Sequence, residues 1–326
     1  MRPIRFNAGL PNGDPAATIA TAKRAEDLGY YSVSIDDHFF MRGLMEDPRA
    51  PHYECFTMLS AVAATTSTIR MLPLVTSMSY RNPALLAKTM ASLDNLSRGR
   101  LTAGIGAGWF KEEYDAYNFS YPSNAERIEQ MADGIKVLKA MWTQEEPTHH
   151  GRYFKIEKAY CDPKPVQKPL PLLIGGGGRR ILEVAAQEGD ILNLNPPITT
   201  GSVDVNRALA FDRVRAKNRL ALTREFLKAA GRSPDALELS GAAIVLMAKD
   251  RATVDAMAAA TAQSVGLTDM EAVRSSMQVM VGTPDDIKRE IASRIEDLGM
   301  TYFFLNFLMP DSLEMFAKEV MPEFTR

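Results

Sequence analysis

The 326-residue chain lacks the features that mark secreted, membrane-spanning and nucleic-acid-binding proteins. Its two cysteines, Cys55 and Cys161, are too few for a disulfide framework and suit a reducing compartment. It has no apolar run of about 18 residues that could span a membrane, and no signal peptide is expected at its polar N-terminus. Its formal net charge of -2 gives no reason to expect nucleic acid or an anionic membrane as a partner. These absences predict a compact cytoplasmic protein.

One local pattern recurs along the chain. A helical segment ends at a glycine and a short apolar run, typical of a buried strand, follows at once, as in AEDLG-YYSVSI, SRG-RLTAGI, AQEG-DILNL and EDLG-MTYFFLNF. Four further runs, IRFNAG, IRMLPLVTS, PLLIGG and LELSGAAIVLM, bring the predicted strands to eight. Apolar residues at steps of three and four, as between Ile128 and Trp142, predict amphipathic helices between the strands.

Eight strands that alternate with helices predict an α/β protein, a (β/α)8 TIM barrel that forms a single domain over residues 1–326. Insertions are expected after strands 2, 4 and 7. Two long connections stand out, the loop of residues 37–53 and the proline-rich segment of residues 143–171. The alternative is a doubly wound sheet, which is less consistent with a glycine-rich segment that lies far from the first strand–helix turn.

That glycine-rich segment, residues 175–178, stands between the fifth predicted strand and a predicted helix. Bare backbone at a helix N-terminus can point several N–H groups at one anion, and Arg179 or Arg180 can add a charge-assisted contact. The segment lacks the third glycine of the motif G-x-G-x-x-G and the Gly-Lys-Ser/Thr of a P-loop. It is therefore a candidate phosphate site, and the alternative is that the glycines only let the helix pack closely on the strand.

A second group of polar residues, Asp36, Asp37 and His38, ends the second predicted strand. The C-terminal ends of barrel strands surround the reaction site, so these side chains are candidates for function. A metal site is not expected, because no third ligand stands at a recognisable spacing. A lone histidine is often structural, but His38 is the only histidine predicted at a strand end. Glu112 and Glu113 begin a later helix and are expected on its solvated face.

Four blocks of the sequence carry a resemblance to a known family: SVSIDDHF, RNPALLAKTMASLDNLSRGRLTAGIGAGWFKEEY, GRYFKIEKAYCDPKPVQKPLPLLIGGGG and VGTPDDIKREIASRIEDLGMTYFFLNF. They resemble the bacterial luciferase-like superfamily, occur in its order and cover the chain nearly end to end. The resemblance implies a (β/α)8 oxidoreductase that uses either FMN or the deazaflavin coenzyme F420. The runs LAKTMASLDNLSRGR, GAGWFKEEY and IGGGG are most similar to the deazaflavin branch.

The resemblance also implies roles for residues at the predicted strand ends. Asp37 is expected on the cofactor, and His38 is expected to be the general acid or base, because imidazole titrates near neutrality. Family members carry a non-proline cis peptide in the third strand, which implies a cis Pro73–Leu74 bond beneath the cofactor ring. The other implied cofactor contacts are Thr76, Gly106, Ala107, Gly108, Gly175, Gly176, Gly177, Gly178 and Arg179.

Trp109 departs from part of the family pattern. Sugar-phosphate dehydrogenases of the superfamily are expected to carry a proton-donating glutamate at this position, so a sugar phosphate is not the expected substrate. Trp109 is expected to form a wall of the substrate pocket, and plain packing is nearly as consistent with the sequence. Met41, Met45 and Met78 predict an adaptable apolar pocket mouth.

The resulting hypothesis is an oxidoreductase that transfers a hydride between coenzyme F420 and a small organic substrate, with His38 moving the proton. Two alternatives stay open. One is an FMN-dependent monooxygenase of the same superfamily that uses reduced flavin and O2, and the other is a flavin-binding protein without catalysis. The expected partners are a small-molecule substrate, a second copy of the chain in a homodimer, and a flavin or F420 reductase that supplies reduced cofactor.

Overall fold

The computed structural model describes residues 2–40, 47, 49–198, 200–202, 204–264 and 270–325, with the backbone alone at Ser264 and Pro310. Most of these residues belong to strands or helices that alternate along the chain. The strands are β1 (Arg5–Gly9), β2 (Ser32–Ile35), β3 (Arg70–Pro73), β4 (Thr76–Ser77), β5 (Ala103–Gly106), β6 (His149–His150), β7 (Lys155–Ile156), β8 (Leu172–Gly175), β9 (Ile191–Asn193), β10 (Glu238–Met247), β11 (Val279–Gly282) and β12 (Tyr302–Phe307).

The helices surround the strands. They are α1 (Pro15–Asp27), α2 (Cys55–Thr65), α3 (Pro83–Leu96), α4 (Lys111–Ala116), α5 (Asn124–Thr143), α6 (Arg179–Glu188), α7 (Val205–Leu209), α8 (Arg213–Ala229), α9 (Arg251–Ser264), α10 (Met270–Ser275), α11 (Pro284–Leu298) and α12 (Pro310–Glu319). Short 3-10 helices cover Met78–Tyr80, Pro234–Ala236 and Met321–Glu323. Within the described ranges, no helix has the length and apolar composition needed to cross a membrane.

The main sheet is parallel and follows the order β3-β2-β1-β12-β10-β9-β8-β5-β4. A parallel bridge between Met71 of β3 and Leu101, just before β5, joins the two ends of the sheet into a barrel. β3 and β4 together are the third predicted strand, interrupted at residues 74 and 75. The prediction of a (β/α)8 barrel is confirmed, and its limits at residues 1 and 326 stay a prediction.

The predicted insertions contain small elements of their own. The insertion after the fourth barrel strand includes the antiparallel hairpin of β6 and β7, which returns at Gly151. The insertion after the seventh barrel strand adds β11, which pairs in parallel with β10 outside the ring. The loop after β2, residues 37–53, includes residues 41–46 and 48, which lie outside the described residues.

The barrel strands are buried on both faces, which explains their continuous apolar runs. On β12, Tyr302 and Phe304 pack with Leu72 and Leu173 inside the barrel. The alternate residue Phe303 packs on the opposite face with the helices. Because both faces of each strand are covered, the strand ends are held in fixed positions, and so are the polar residues that follow them.

Glycine ends several helices as the sequence predicts. Gly29, Gly99 and Gly299 have φ values of 82°, 82° and 71°, in the left-handed region that glycine adopts without a steric cost. Gly189, the fourth predicted case, is extended at φ -87°. A Cβ there would lie 3.0 Å from the Ala185 carbonyl oxygen, so close packing and not a left-handed conformation favours this glycine.

Candidate active site

A cavity of about 370 Å³ opens at the C-terminal ends of the barrel strands. The segments that directly follow β2, β5, β8 and β9 line it, namely Asp37 and His38, residues 106–109, residues 175–178 and residues 195–198. A larger cavity of about 720 Å³ lies at the opposite end, among residues that precede strands, such as Arg2 and Thr301. Barrel enzymes work at the C-terminal face, so the smaller cavity is the candidate site.

The floor of this cavity is the break between β3 and β4. The cis peptide bond lies between Leu74 and Val75, so the prediction of a cis Pro73–Leu74 bond was wrong by one residue. The reason is that Pro73 still pairs with Ile35, whose carbonyl oxygen accepts a hydrogen bond of 2.8 Å from the Leu74 amide. Leu74 and Val75 line the cavity, whereas Pro73 and Thr76 are buried and lie outside its lining.

Glycines on the neighbouring strands make room for this break. A Cβ on Gly104 would lie 2.0 Å from the Pro73 carbonyl oxygen, closer than real Cβ contacts allow. A Cβ on Gly106 or Gly175 would lie 2.7 or 2.9 Å from a methyl group of Val75. A larger residue at position 104 would push against the backbone of the break, and one at position 106 or 175 would displace the Val75 side chain. The result is an apolar floor without side chains from β5 or β8, which suits a planar ring.

One wall of the cavity is the glycine turn at the start of α6. Gly178 is the N-cap residue, and no side chain of the described chain caps the helix. The first-turn N–H groups therefore have no side-chain acceptor and retain their attraction for an anion. Gly176 has a φ of 138°, which L side chains rarely adopt, and a Cβ on Gly177 would lie 2.0 Å from the Asn195 carbonyl oxygen. The turn thus needs glycine for its shape and leaves backbone donors beside the cavity.

The arginines beside this turn do not line the cavity. The Arg179 guanidinium lies over the ring of Phe226, 5.0 Å from its centroid, and Arg180 lies 3.5 Å from a carboxylate oxygen of Glu129. The position of the Arg179 side chain, which lies outside the cavity lining, therefore does not support its predicted contact with phosphate. Arg207 of α7, which the sequence analysis did not identify, does line the cavity.

Asp37 lines the cavity as a paired, buried carboxylate. Arg81 donates two hydrogen bonds to it, of 2.6 and 2.8 Å, and the Ser77 amide donates a third of 3.2 Å. Burial raises the pKa of Asp37, and the Arg81 guanidinium opposes this rise. Arg81 also contacts Glu54 at 2.6 Å. Asp37 thus fixes the segment after β2 to the segment after β4, whether or not it also contacts a ligand.

His38 forms a pair with a carboxylate that the sequence analysis misplaced. Its Nδ1 lies 2.8 Å from Oε2 of Glu113, and the Glu113 side chain has 0% exposure. The Tyr80 hydroxyl donates to the same oxygen at 2.6 Å, and the Phe39 amide donates to Oε1. The prediction that Glu113 lies on a solvated face was wrong, because these donors satisfy its charge inside the protein.

This contact favours the charged form of both groups. Burial alone would lower the pKa of His38, but the carboxylate of Glu113, followed by those of Asp36 and Asp37, raises it above its ordinary value. Burial alone would raise the pKa of Glu113, but the hydrogen bonds from His38 and Tyr80 lower it. His38 therefore keeps its imidazolium form to a higher pH than a free histidine.

A second histidine also contacts the end of β2. Nε2 of His52 lies 2.7 Å from Oδ2 of Asp36, so the expectation that His38 alone stands near a strand end was wrong. Sequence reasoning missed His52 because it lies near the end of the long loop after β2, 16 residues from Asp36. His52 does not line the cavity, and His38 does. In the described part of the chain, no three His, Cys, Asp or Glu side chains are grouped so that they could hold a metal ion.

Trp109 lines the cavity beside His38. The centroids of the two rings are 5.3 Å apart in an edge-to-face arrangement, and Phe110 packs on the imidazole from 5.8 Å. An aromatic wall therefore stands beside the imidazole, and contact of Trp109 with a substrate stays a prediction. Met78 is buried against Gly134 and does not line the cavity, and Met41 and Met45 lie outside the described residues.

Comparison with known proteins places the chain in a family. Residues 3–302 match the family model described as luciferase-like monooxygenase. An F420-dependent glucose-6-phosphate dehydrogenase of Amycolatopsis mediterranei is 29% identical over 191 residues, 58% of this chain and 56% of that protein. An FMNH(2)-dependent dimethylsulfone monooxygenase of Pseudomonas putida is 30% identical over 128 residues, 39% of this chain and 35% of that protein.

The fold is similar to that of a solved F420-dependent secondary alcohol dehydrogenase in complex with an F420–acetone adduct. The TM-score is 0.82 at 21% identity, with 98% of this chain and 99% of that chain covered. The chain spans about half the length of the curated relatives described above, or less. The family match, by contrast, extends over nearly the whole barrel, and the chain belongs to the luciferase-like monooxygenase family.

Proposed function

We propose that the protein is an oxidoreductase that uses coenzyme F420 to transfer a hydride to or from a small organic substrate, with His38 as the general acid or base. The observation that carries the proposal is the position of His38. Its imidazole lines a cavity that also contains an apolar floor and a helix N-terminus without a side-chain cap. The relatives that use coenzyme F420 support the choice of cofactor.

The residues present fit a flavin-like cofactor. Leu74, Val75 and the bare backbone of Gly106 and Gly175 would support its ring, since no side chain projects there from β5 or β8. The amides at the start of α6 would hold its phosphate, helped by the helix dipole. The deazaflavin supplies or accepts the hydride when bound. The protein holds it, shields it from water and places a proton donor near it.

The proton is moved by Nε2 of His38. Nδ1 is occupied by Glu113, so Nε2 is the ring nitrogen that remains for a substrate. When a carbonyl is reduced, hydride addition leaves negative charge on its oxygen, and the imidazolium donates a proton to that oxygen. When an alcohol is oxidised, the neutral imidazole accepts the hydroxyl proton. A raised pKa favours the donating form near neutral pH.

The proposed substrate is a small neutral alcohol or carbonyl compound. Trp109 and Phe110 pack around His38, so the surroundings of the imidazole are aromatic. No glutamate stands at position 109, which argues against a sugar phosphate although some relatives are named for that activity. The structural neighbour that holds an F420–acetone adduct is consistent with a small carbonyl substrate.

An FMN-dependent monooxygenase is the second candidate. The amides at the start of α6 would donate hydrogen bonds to the phosphate of FMN equally well, and one relative is named as an FMNH(2)-dependent monooxygenase. A flavin-binding protein without catalysis is a weaker candidate, because it would not need the buried pair of Glu113 and His38. A homodimeric state, a reductase partner and a cytoplasmic location belong to the proposal and rest on the family resemblance and the composition.

The two activities differ in their need for oxygen. The purified protein is supplied with reduced coenzyme F420 and a panel of small ketones and aldehydes without O2, and oxidation of the deazaflavin is followed by its absorbance. We expect protein-dependent oxidation and formation of the alcohol. In parallel, reduced FMN is supplied with O2. Protein-dependent oxygenation of a panel compound with FMN, combined with no anaerobic turnover of coenzyme F420, would instead establish the monooxygenase.

A further inference from the structure

We propose that Glu113 and Tyr80 are positioning residues that hold His38 with Nδ1 protonated and leave Nε2 for the substrate. The role in turnover rests on the proposed function, whereas the control of the imidazole rests on the hydrogen bonds alone. Tyr80 lines the cavity and Glu113 lies behind the imidazole, fully buried. Neither residue was a candidate in the sequence.

The contacts of Glu113 fix the tautomer of His38. Oε2 accepts hydrogen bonds from His38 at 2.8 Å and from Tyr80 at 2.6 Å, and Oε1 accepts from the amides of Phe39 and, at 3.4 Å, Phe40. An ionised carboxylate only accepts hydrogen bonds, so Nδ1 must carry a hydrogen in this pair. The neutral imidazole then has its lone pair on Nε2, and the imidazolium carries a second hydrogen there.

His38 and Tyr80 both donate to Oε2 of Glu113. Removing Glu113 and removing Tyr80 should therefore change the pKa of His38 in opposite directions. The Glu113 charge attracts a proton to the imidazole, so its removal weakens the imidazolium form. The Tyr80 hydroxyl draws electron density from the same Oε2, so its removal strengthens the remaining bond to His38. Tyr80 keeps its own proton as a donor, because burial, followed by the carboxylate of Glu113, raises the pKa of its phenol.

The other charged groups that face His38 are already paired. Asp36 contacts His52 at 2.7 Å, and Asp37 accepts two hydrogen bonds from Arg81. The rings of Trp109 and Phe110, which pack on the imidazole, carry no charge. Glu113 is thus the carboxylate in direct contact with the imidazole.

This arrangement provides the proton that the reaction needs. In carbonyl reduction, a bound reduced deazaflavin would lose a hydride, with its C–H bond broken, and become oxidised. The carbonyl carbon would gain that hydride, the C=O π pair would move to oxygen, and Nε2 of His38 would donate the proton that completes the alcohol. The imidazole becomes neutral and regains a proton from water. Glu113 keeps its charge throughout and stabilises the imidazolium before the transfer.

The first test measures His38 without substrate or cofactor. Nitrogen NMR of the ¹⁵N-labelled 326-residue chain follows its four histidines during a pH titration, and the H38N spectrum identifies the signals of His38. In the wild type we expect the neutral form protonated on Nδ1. We expect the pKa of His38 to fall by about one unit or more in Glu113→Gln and to rise in Tyr80→Phe. The control Glu112→Gln, an exposed carboxylate on the same helix, should leave it unchanged.

The second test measures turnover against pH. The imidazolium is populated below the pKa of His38, so carbonyl reduction falls as pH rises through that value. The falling limb of the kcat profile should move to lower pH in Glu113→Gln and to higher pH in Tyr80→Phe, with KM changed less than threefold. Circular dichroism spectra establish whether each variant is folded. If Glu113→Gln does not fold, the direction in which the kcat profile of Tyr80→Phe shifts tests the positioning role.

The outcomes separate the two proposals. An unchanged pKa of His38 in folded Glu113→Gln, or a pKa that does not rise in Tyr80→Phe, overturns the positioning role whatever the activity. If both pKa shifts occur but H38N turns over normally, the control of the imidazole by Glu113 and Tyr80 is established and the catalytic role of His38 fails.

Discussion

Replacing His38 with asparagine should lower turnover by a factor of ~100 or more, because a positioned acid or base typically contributes ~10² to 10⁴ in rate. The cofactor affinity should stay within about threefold, because the apolar floor and the amides of α6 are unchanged. Asparagine keeps a polar side chain beside Glu113 but cannot donate and accept protons near neutral pH. The measurements are a cofactor titration and steady-state turnover on a carbonyl compound that the wild type reduces.

His52 offers a matched control for this substitution. It is also a histidine in contact with a carboxylate, 2.7 Å from Asp36, but it does not line the cavity. His52→Asn should keep turnover within about threefold of the wild type, since it removes no proton donor from the cavity. Normal turnover in His38→Asn would remove His38 from the mechanism. Loss of cofactor binding in that variant would make His38 a binding residue.

Replacing Gly177 with valine should weaken cofactor binding by a factor of ~100 or more, because the cofactor phosphate can no longer lie close to the backbone amides at the start of α6. Even the Cβ of the new side chain would lie 2.0 Å from the Asn195 carbonyl oxygen. The turn and the segment after β9 would have to separate, which moves the backbone N–H groups at the start of α6. A titration with coenzyme F420 followed by protein fluorescence measures the effect.

Gly178 provides the comparison for this variant. A Cβ on Gly178 has no heavy atom within 4 Å, and its φ of -71° is open to any residue. Gly178→Ala should therefore keep the shape of the turn and bind the cofactor within about tenfold of the wild type. Thermal unfolding of both variants checks that they are folded. A folded Gly177→Val variant that binds normally would mean that the phosphate site lies elsewhere.

The barrel could be predicted from the sequence because its signals are local. Buried strands appear as apolar runs, and Gly29, Gly99 and Gly299 mark helix ends where only glycine fits easily. The glycine turn at residues 175–178 is equally local, since the need for bare backbone is visible in the sequence itself. The position of the cis bond was missed by one residue, because the pairing of Pro73 with Ile35 is a contact between strands.

The partners of the polar residues could not be predicted, because they lie far away in the chain. Glu113 is 75 residues from His38 and Arg81 is 44 residues from Asp37, and no spacing rule connects them. A pair of glutamates at a helix start is most often solvated, and Glu113 is buried because Tyr80 and the segment after β2 donate hydrogen bonds to it. Arg179 likewise meets Phe226 of α8, which the sequence does not indicate.

The central claim is that this cavity holds a deazaflavin, and a paired titration of the cofactor-free protein with oxidised coenzyme F420 and with FMN tests it most directly. The apolar floor would support the ring of either cofactor, and the N-terminus of α6 would bind the phosphate of either. The difference between the two affinities therefore measures how the rest of the cavity discriminates between coenzyme F420 and FMN. We predict that coenzyme F420 binds at least tenfold more tightly, a difference of about 1.4 kcal/mol. Equal affinities, or tighter binding of FMN, would contradict the account and favour the monooxygenase.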